Sequence, residues 1–451
     1  MPLKVLILVG GETTGTRFRP LSMEGPKLLF PLCGKPLITH IIDSLVEQLA
    51  DEELDILLVG FFKDSSVFQG YIKQVNSVYP KLKIKYLSEP KPLGTAGGLY
   101  HFRDEIFTSQ DCKLLMIHGD VICDYPFKQL LEFYDQQKSN ITILGLDPVS
   151  LVKKSRTISN VSSSGGETLD DEFLLQNYGA IVAKRTKSNV VHYVEKPSST
   201  LAPFRQDTKY RILLNGGVYV FDRSILDLLQ KAQIEKENSN QLGGDVDLDN
   251  DSKSNVLSLE LDVFKTLPQV PDTEFTVYKY DEFWYQLKSP VSALLANNFF
   301  LGKNACQANV GSNVEISKPV QILKSDLSQS TSSKIGPNVS IGNNVTIGSG
   351  VRLANCIIAD DVSIGDNTII KNAIVSKGAI IGKWCRIEGT ITSQTLAENA
   401  NPNPSEGYLK LLNNIVILCQ GTVVKSQVFV YNSVVLPHKE LKNDVKYEII
   451  M

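Results

Sequence analysis

The residues best placed to do chemistry cluster near the start of the chain. An apolar run over residues 5–9 gives way at once to Gly10, Gly11, Glu12, Thr13, Thr14, Gly15, Thr16 and Arg17. Glycines at a strand end let backbone N–H groups approach phosphate oxygens, because no Cβ holds the ligand off. Arg17, and Lys27 within Pro26-Lys27, supply the positive charge that neutralises a bound phosphate and the charge developing as it is transferred. A glycine-rich turn alone is usually only a turn. Here the added arginine, Pro26-Lys27 and Lys35-Pro36 turn the reading toward a nucleotide.

The elements that must position these residues come in two styles. Residues 5–9, 56–59, 84–87, 114–117 and 141–144 are short apolar runs of the kind found in strands covered on both faces. Between them, Ile38, Ile41, Ile42, Leu45 and Leu49 repeat at helical spacing, as do Phe127, Leu130, Leu131 and Tyr134. Strands separated by helices predict βαβ units and a mainly parallel sheet, an α/β, Rossmann-like domain over residues 1–300. Ligands on such sheets bind beyond the carboxyl ends of the strands.

From residue 305 to 451 the period changes. Ile335, Ile341 and Ile347 stand six apart, each followed by glycine, and Val339, Val345 and Val351 keep the same step. The pattern resumes at Ile358, Ile364 and Ile370 and again at Ile381 and Ile387. A hexapeptide period predicts a parallel β-helix with branched residues stacked inside and glycines at its corners. Residues 155–171 and 235–255 are polar and rich in Gly, Ser, Asp and Asn, which predicts mobile surface loops. Residues 395–407, with two Asn-Pro pairs, interrupt the β-helix as a further loop.

Composition excludes several classes. The chain has 451 residues, with 46 Lys+Arg against 49 Asp+Glu, so it carries no electrostatic footprint for nucleic acid or an anionic membrane. No stretch has the roughly 18 consecutive apolar residues of a membrane span. The seven cysteines never fall in CxxC spacing, which argues against a zinc site or a disulfide framework and for a reducing, cytoplasmic setting.

The glycine-rich loop resembles the signature of the sugar-1-phosphate nucleotidyltransferases, and further motifs of that family follow in order. Pro92-Leu93-Gly94-Thr95-Ala96-Gly97-Gly98 is similar to its base-contacting segment, and His118-Gly119-Asp120 to the strand end whose aspartate binds Mg²⁺. Tyr178-Gly179, Glu195-Lys196-Pro197 and Asn215-Gly216-Gly217-Val218-Tyr219 match its sugar-phosphate side. The resemblance implies a left-handed parallel β-helix after the Rossmann-like domain. It also implies that Gly10, Gly11, Gly15, Thr16 and residues 94–97 bind nucleotide, with Arg17 and Lys27 as catalytic cations. Lys196 would hold the sugar phosphate, Glu195 a sugar hydroxyl, and Gly179, Asn215 and Gly217 the sugar. The reaction is in-line attack of a sugar-1-phosphate oxygen on the α-phosphorus of a nucleoside triphosphate; it needs positioning and charge neutralisation more than a protein nucleophile.

Residues 121–124 and 435–439 resemble the GDP-mannose pyrophosphorylases of eukaryotes within that family. Three positions depart from the catalytic pattern. Three residues separate Gly11 from Gly15 where that pattern has one, Gln286 stands at the second metal carboxylate, and His118 replaces the usual Asn or Gly. A longer loop carrying Glu12 moves amides away from phosphate and repels it; an amide at 286 removes one charge from a Mg²⁺ site that would otherwise hold two carboxylates. The stretched loop and Gln286 resemble the α-type, regulatory subunit. That resemblance implies a chain that binds GDP-mannose, self-associates through its β-helix, and controls a catalytic β-type partner through a loop containing Asn401, Pro402, Asn403 and Pro404. The alternatives are an active enzyme, using Asp120 and Mg²⁺ with GTP and aided by Gln286 or Asp281, and a β-helix scaffold that binds nothing.

Overall fold

The computed structural model describes residues 3–11, 16–151, 178–197, 201, 203–204, 207–242, 256–302, 312–391 and 414–451. They fall into two compact units. The first takes residues 1–14, 41–154 and 169–284, and the second residues 15–40, 155–168 and 285–451.

In the first unit, nine strands form one mixed sheet: β1 (Leu3–Gly11), β2 (Asp55–Phe61), β3 (Lys83–Ser88), β4 (Lys113–His118), β5 (Ile141–Leu146), β6 (Ala180–Lys184), β7 (Val190–Val194), β8 (Tyr210–Phe221) and β9 (Phe275–Tyr280). Each apolar run expected to be a strand is one. Their order is β7-β6-β8-β4-β1-β2-β3, with β5 against β8 and β9 against β5. The β4-β1-β2-β3 half is parallel throughout. Chain order reverses between β1 and β4, the switch point beyond which a ligand crevice opens. Gly10-Gly11 and His118-Gly119-Asp120 lie at the carboxyl ends of those two strands, joined where Gly119 N–H donates to Leu8 O at 3.0 Å. One core beneath the sheet gathers Leu6, Val59, Leu99, Met116, Tyr219, Phe221, Phe264 and Val277, all at most 1 % exposed.

The polar stretch from residue 235 begins differently from expectation. The helix Ile225–Leu242 runs into it, because Glu, Lys and Gln propagate helix well even without an apolar face. Gln233 donates to Glu237 at 2.7 Å one turn on, and Lys236 donates to Val256 O at 2.6 Å and to Asp262 at 2.7 Å. Residues 243–255 and 155–171 lie outside the described residues.

The second unit contains the repeat, and its strands pair in parallel along three ladders. Ile335, Leu353, Ile370, Ile387, Val430 and Val445 stack on one face. Ile322, Ile341, Ile358, Val375, Leu418 and Val435 stack on the second, and Ile347, Ile364, Ile381, Val424 and Leu441 on the third. The six-residue step from Ile335 to Ile341 to Ile347 therefore moves from face to face, and three steps close one coil. This is the β-helix expected, with all three ladders meeting in one apolar core. Its corners rely on asparagine as much as glycine. Asn338, Asn344, Asn355, Asn367 and Asn372 take positive φ of 48–61°, which Asn tolerates better than most residues.

The second unit also includes the segment after the glycine-rich loop. Three short 3₁₀ turns, Thr16–Phe18, Leu21–Met23 and Lys27–Leu29, lead into a hairpin of Pro31–Leu32 with Lys35–Pro36. Cys33 N–H donates to Asn297 on the buried helix Pro290–Leu301 at 2.8 Å. Gln420 N–H donates to Glu24 at 2.8 Å, so this segment is fastened both to that helix and to the β-helix.

Candidate functional site

Each unit holds part of the predicted constellation. On the nucleotide side of the first unit, Gly10 has φ 75°, and a Cβ on Gly11 would stand 2.5 Å from Phe61 O, so both positions need glycine. Gly94 turns with φ 91°, where a Cβ would meet Leu257 O at 2.4 Å. Leu257 grips this loop: its N–H donates to Leu93 O at 2.9 Å, and its carbonyl accepts from Ala96 N–H at 3.0 Å and Gly97 N–H at 3.3 Å. Thr95 Oγ1 accepts from Leu259 N–H at 2.9 Å and donates to Glu260 Oε2 at 2.7 Å. Two loop amides and the threonine hydroxyl are thus engaged within the chain. What the loop keeps for a ligand is its remaining backbone and its shape.

The sugar-side residues also come together, because of an irregularity in β8. From Asn215 to Tyr219 the strand advances four residues while its partner β5 advances two, from Gly145 to Ile143. The bulge lets β8 leave β6 and pair with β4 at Val218–Ile117, and it presents Asn215 where a regular strand would continue its ladder. Gly217, at φ 71°, donates its N–H to Asn215 Oδ1 at 2.9 Å, and Trp284 Nε1 donates to Gly216 O at 2.9 Å. Asn215 N–H donates to Gly179 O at 2.8 Å. Asn215 Nδ2 donates to Tyr193 OH at 3.1 Å and Tyr219 OH at 3.0 Å. Tyr193 in turn donates to Glu195 Oε2 at 2.9 Å. A Cβ on Gly179 would lie 2.1 Å from that tyrosine oxygen, so glycine is required there. Burial, followed by Glu195 for Tyr193 and Glu260 for Tyr219, holds both phenols well above their ordinary pKa. They stay protonated donors at any ordinary pH.

Lys196 follows Glu195 with an exposed side chain and φ 47°, a left-handed conformation just before Pro197. Asp120 is half-buried past the end of β4. His118 packs edge-on against Tyr219, with centroids 5.5 Å apart, and its Nε2 is 3.7 Å from Glu260 Oε1. In the second unit, Thr16 and Arg17 are exposed, and Lys27 and Gln286 half-buried. Among the described residues no three His, Cys, Asp or Glu side chains gather to hold a metal ion. Gly15 and residues 401–404 lie outside the described residues.

The comparisons with known proteins follow this geometry. Residues 4–154 match the nucleotidyl transferase family model, and residues 318–450 match the model of the GMPPB C-terminal domain. A probable mannose-1-phosphate guanyltransferase of Schizosaccharomyces pombe is 36% identical across 99% of both chains. The mannose-1-phosphate guanylyltransferase regulatory subunit alpha-B of Danio rerio is 33% identical and the alpha-A guanyltransferase of Xenopus laevis 32%, each over 100% of both chains. This chain belongs to the mannose-1-phosphate guanylyltransferase family.

Within this family member, sequence reasoning missed two residues that organise the site, Tyr193 and Glu260, and had Tyr219 only as the last member of the Asn215 motif. Both tyrosines sit in strand runs that look like ordinary core. Glu260 lies in Ser258-Leu259-Glu260-Leu261-Asp262, an alternation that reads as surface. The only signal was the repeated pairing of a polar tip with an apolar body, which buried tyrosines satisfy by hydrogen bonding. The turn carrying Glu260, Leu259–Phe264, is a π-helix, a form frequent at functional sites.

Proposed function

We propose that this chain is a regulatory member of its family, one that binds GDP-mannose without making it and controls a catalytic β-type paralogue. The observation that carries the reading is a contrast between its two halves of chemistry. The sugar-side set of Gly179, Glu195, Asn215 and Gly217 is joined in one hydrogen-bonded array. The phosphate side instead carries three residues between Gly11 and Gly15 and Gln286 in place of a carboxylate. Product binding draws on the first set and turnover on the second, so a chain altered in this way keeps affinity and loses rate. Asp120 is retained, but the position resembling the family's second metal carboxylate is Gln286, so one charged ligand stands where Mg²⁺ wants two and these residue types do not fit a firmly held ion. Relatives named as regulatory subunits, which align over the whole chain, support the same reading. The partner subunit, self-association through the β-helix, a cytoplasmic setting and a messenger role for residues 401–404 belong to this proposal.

The second reading is an active mannose-1-phosphate guanylyltransferase. The retained Asp120 favours it. One experiment separates them: pyrophosphate release from GTP and mannose-1-phosphate with Mg²⁺, beside calorimetry with GDP-mannose. Binding with turnover at least a hundredfold below an active relative is the expected result. Turnover within tenfold of that relative establishes the second reading instead, and the absence of any binding heat removes both.

A further inference from the structure

Glu260 touches both recognition halves of the first unit. Its Oε2 accepts from Thr95 Oγ1 at 2.7 Å and Ser258 Oγ at 2.8 Å. Its Oε1 faces Tyr219 OH at 3.5 Å and His118 Nε2 at 3.7 Å. Tyr219 OH accepts from Asn215, which also donates to Tyr193, and Tyr193 donates to Glu195. A continuous polar chain therefore runs from the nucleotide loop at Thr95 to the sugar-side carboxylate at Glu195. The Glu260 side chain is only 14% exposed, so its charge acts with little solvent screening. Oε2 is well satisfied, while the partners of Oε1 stand at the far limit of hydrogen bonding and can close in.

We infer that Glu260 is a positioning residue that makes nucleotide-side and sugar-side recognition a single event, an inference that rests on the GDP-mannose reading above. Ordering the Thr95 loop around a nucleotide fixes the carboxylate. The fixed carboxylate then orients Tyr219, and through it Asn215, Tyr193 and Glu195 toward the sugar. His118 becomes part of this joint: its ring packs edge-on against Tyr219 and its Nε2 stands 3.7 Å from Glu260 Oε1.

The test is a double-mutant cycle on the full-length chain, read by calorimetry with GDP-mannose and with GDP. Thr95→Val and Tyr219→Phe each remove one hydroxyl at opposite ends of Glu260, and each is expected to weaken GDP-mannose binding at least fivefold. Because both act through one carboxylate, the double variant should fall short of the product of the single effects by at least threefold. Glu260→Ala should lower the preference for GDP-mannose over GDP about tenfold, and Thr95→Val, on the nucleotide side, should lower it too. A merely structural glutamate would weaken both ligands equally. Single effects below twofold, a double variant equal to the product, or an unchanged preference in Glu260→Ala each overturn the inference. If Glu260→Ala does not fold, the double-mutant cycle decides alone. A wild-type chain that gives no heat with GDP-mannose fails before any variant is made, which marks the failure of the underlying reading.

Discussion

Glu89 offers a sharp test of how the nucleotide loop is held. It follows β3, is 9% exposed, and accepts a hydrogen bond from the Leu93 backbone at the start of the glycine-rich loop. A Cβ on Gly98 would come within 2.4 Å of its Oε1, so helix and carboxyl are packed without clearance. Burial, only partly offset by the Leu93 amide, pushes the carboxyl from 4.5 up to about 7. The folded chain then keeps the Glu89 proton up to about pH 7, while the unfolded chain releases it near 4.5. The stabilisation is fully present below about pH 4.5 and is lost as pH rises through 7. At roughly 1.4 kcal/mol per pH unit, the ionised folded state is penalised by about 3 kcal/mol at pH 8 and by under about 1 kcal/mol at pH 5. Glu89→Gln keeps the shape and an oxygen for Leu93 N–H but cannot ionise. It should raise the melting point of the first unit by several degrees at pH 8 and by about a degree at pH 5. Differential scanning calorimetry at both values checks this. An equal shift at the two pH values would refute the reasoning, because it would show that a packing change and not the buried charge had been measured.

Two further outcomes follow from the site and the repeat. Lys196→Ala should weaken GDP-mannose binding by about 1.5–3 kcal/mol, roughly 10- to 150-fold, the usual worth of a charge-assisted contact to phosphate, with no loss of thermal stability because the side chain is exposed. Excising residues 399–407 should leave melting and GDP-mannose affinity within error, while a complex with the catalytic paralogue becomes less sensitive to GDP-mannose; inhibition as strong as wild type would remove this loop as messenger.

The excision is tolerable for a reason visible in the ladders. Seventeen residues separate Ile370 from Ile387, but forty-three separate Ile387 from its next partner Val430, an excess of 26, and the stack continues in register. The root of the insertion is anchored independently. Asn298 donates to Asn355 at 2.9 Å, Asn355 to Asn372 and Asn372 to Gly389 O at 2.7 Å each, and Thr390 N–H reaches Asn432 at 2.8 Å. The coil is thus closed on both sides without help from the loop.

Legibility in the sequence tracked how local each feature is. Five of the nine strands of the first sheet and the β-helix repeat from Ile335 to Ile387 were readable, since branched apolar residues at a fixed step leave no other way to be buried. Gly94, Gly179 and Gly217 were readable as motif members, and close approach or positive φ explains each. The array through Tyr193, Tyr219 and Glu260 was not. It depends on the β8 bulge and a π-helical turn, neither of which has a period. The helix Ile225–Leu242 was hidden because its last turns are polar on every side. The fastening of Cys33 to Asn297 and Glu24 to Gln420 joins residues hundreds of positions apart, and no local pattern announces such pairs.

Gln286 provides the last test, because it separates two causes of the expected lack of turnover. The amide ends the strand Trp284–Gln286 and is half-buried, so an aspartate there would be one methylene shorter and would carry the missing charge. If the absent carboxylate alone limits chemistry, Gln286→Asp should restore turnover. The loop argues otherwise. Gln286→Asp leaves three residues between Gly11 and Gly15 and keeps Glu12, whose charge repels phosphate, and a metal ligand cannot remove that repulsion. The expected outcome is therefore tighter Mg²⁺ binding by calorimetry with pyrophosphate release still near background. Release should rise only when the same variant also has two of residues 12–14 removed. Turnover restored by Gln286→Asp alone would show that the stretched loop is harmless and that a single charge separates this chain from an active enzyme.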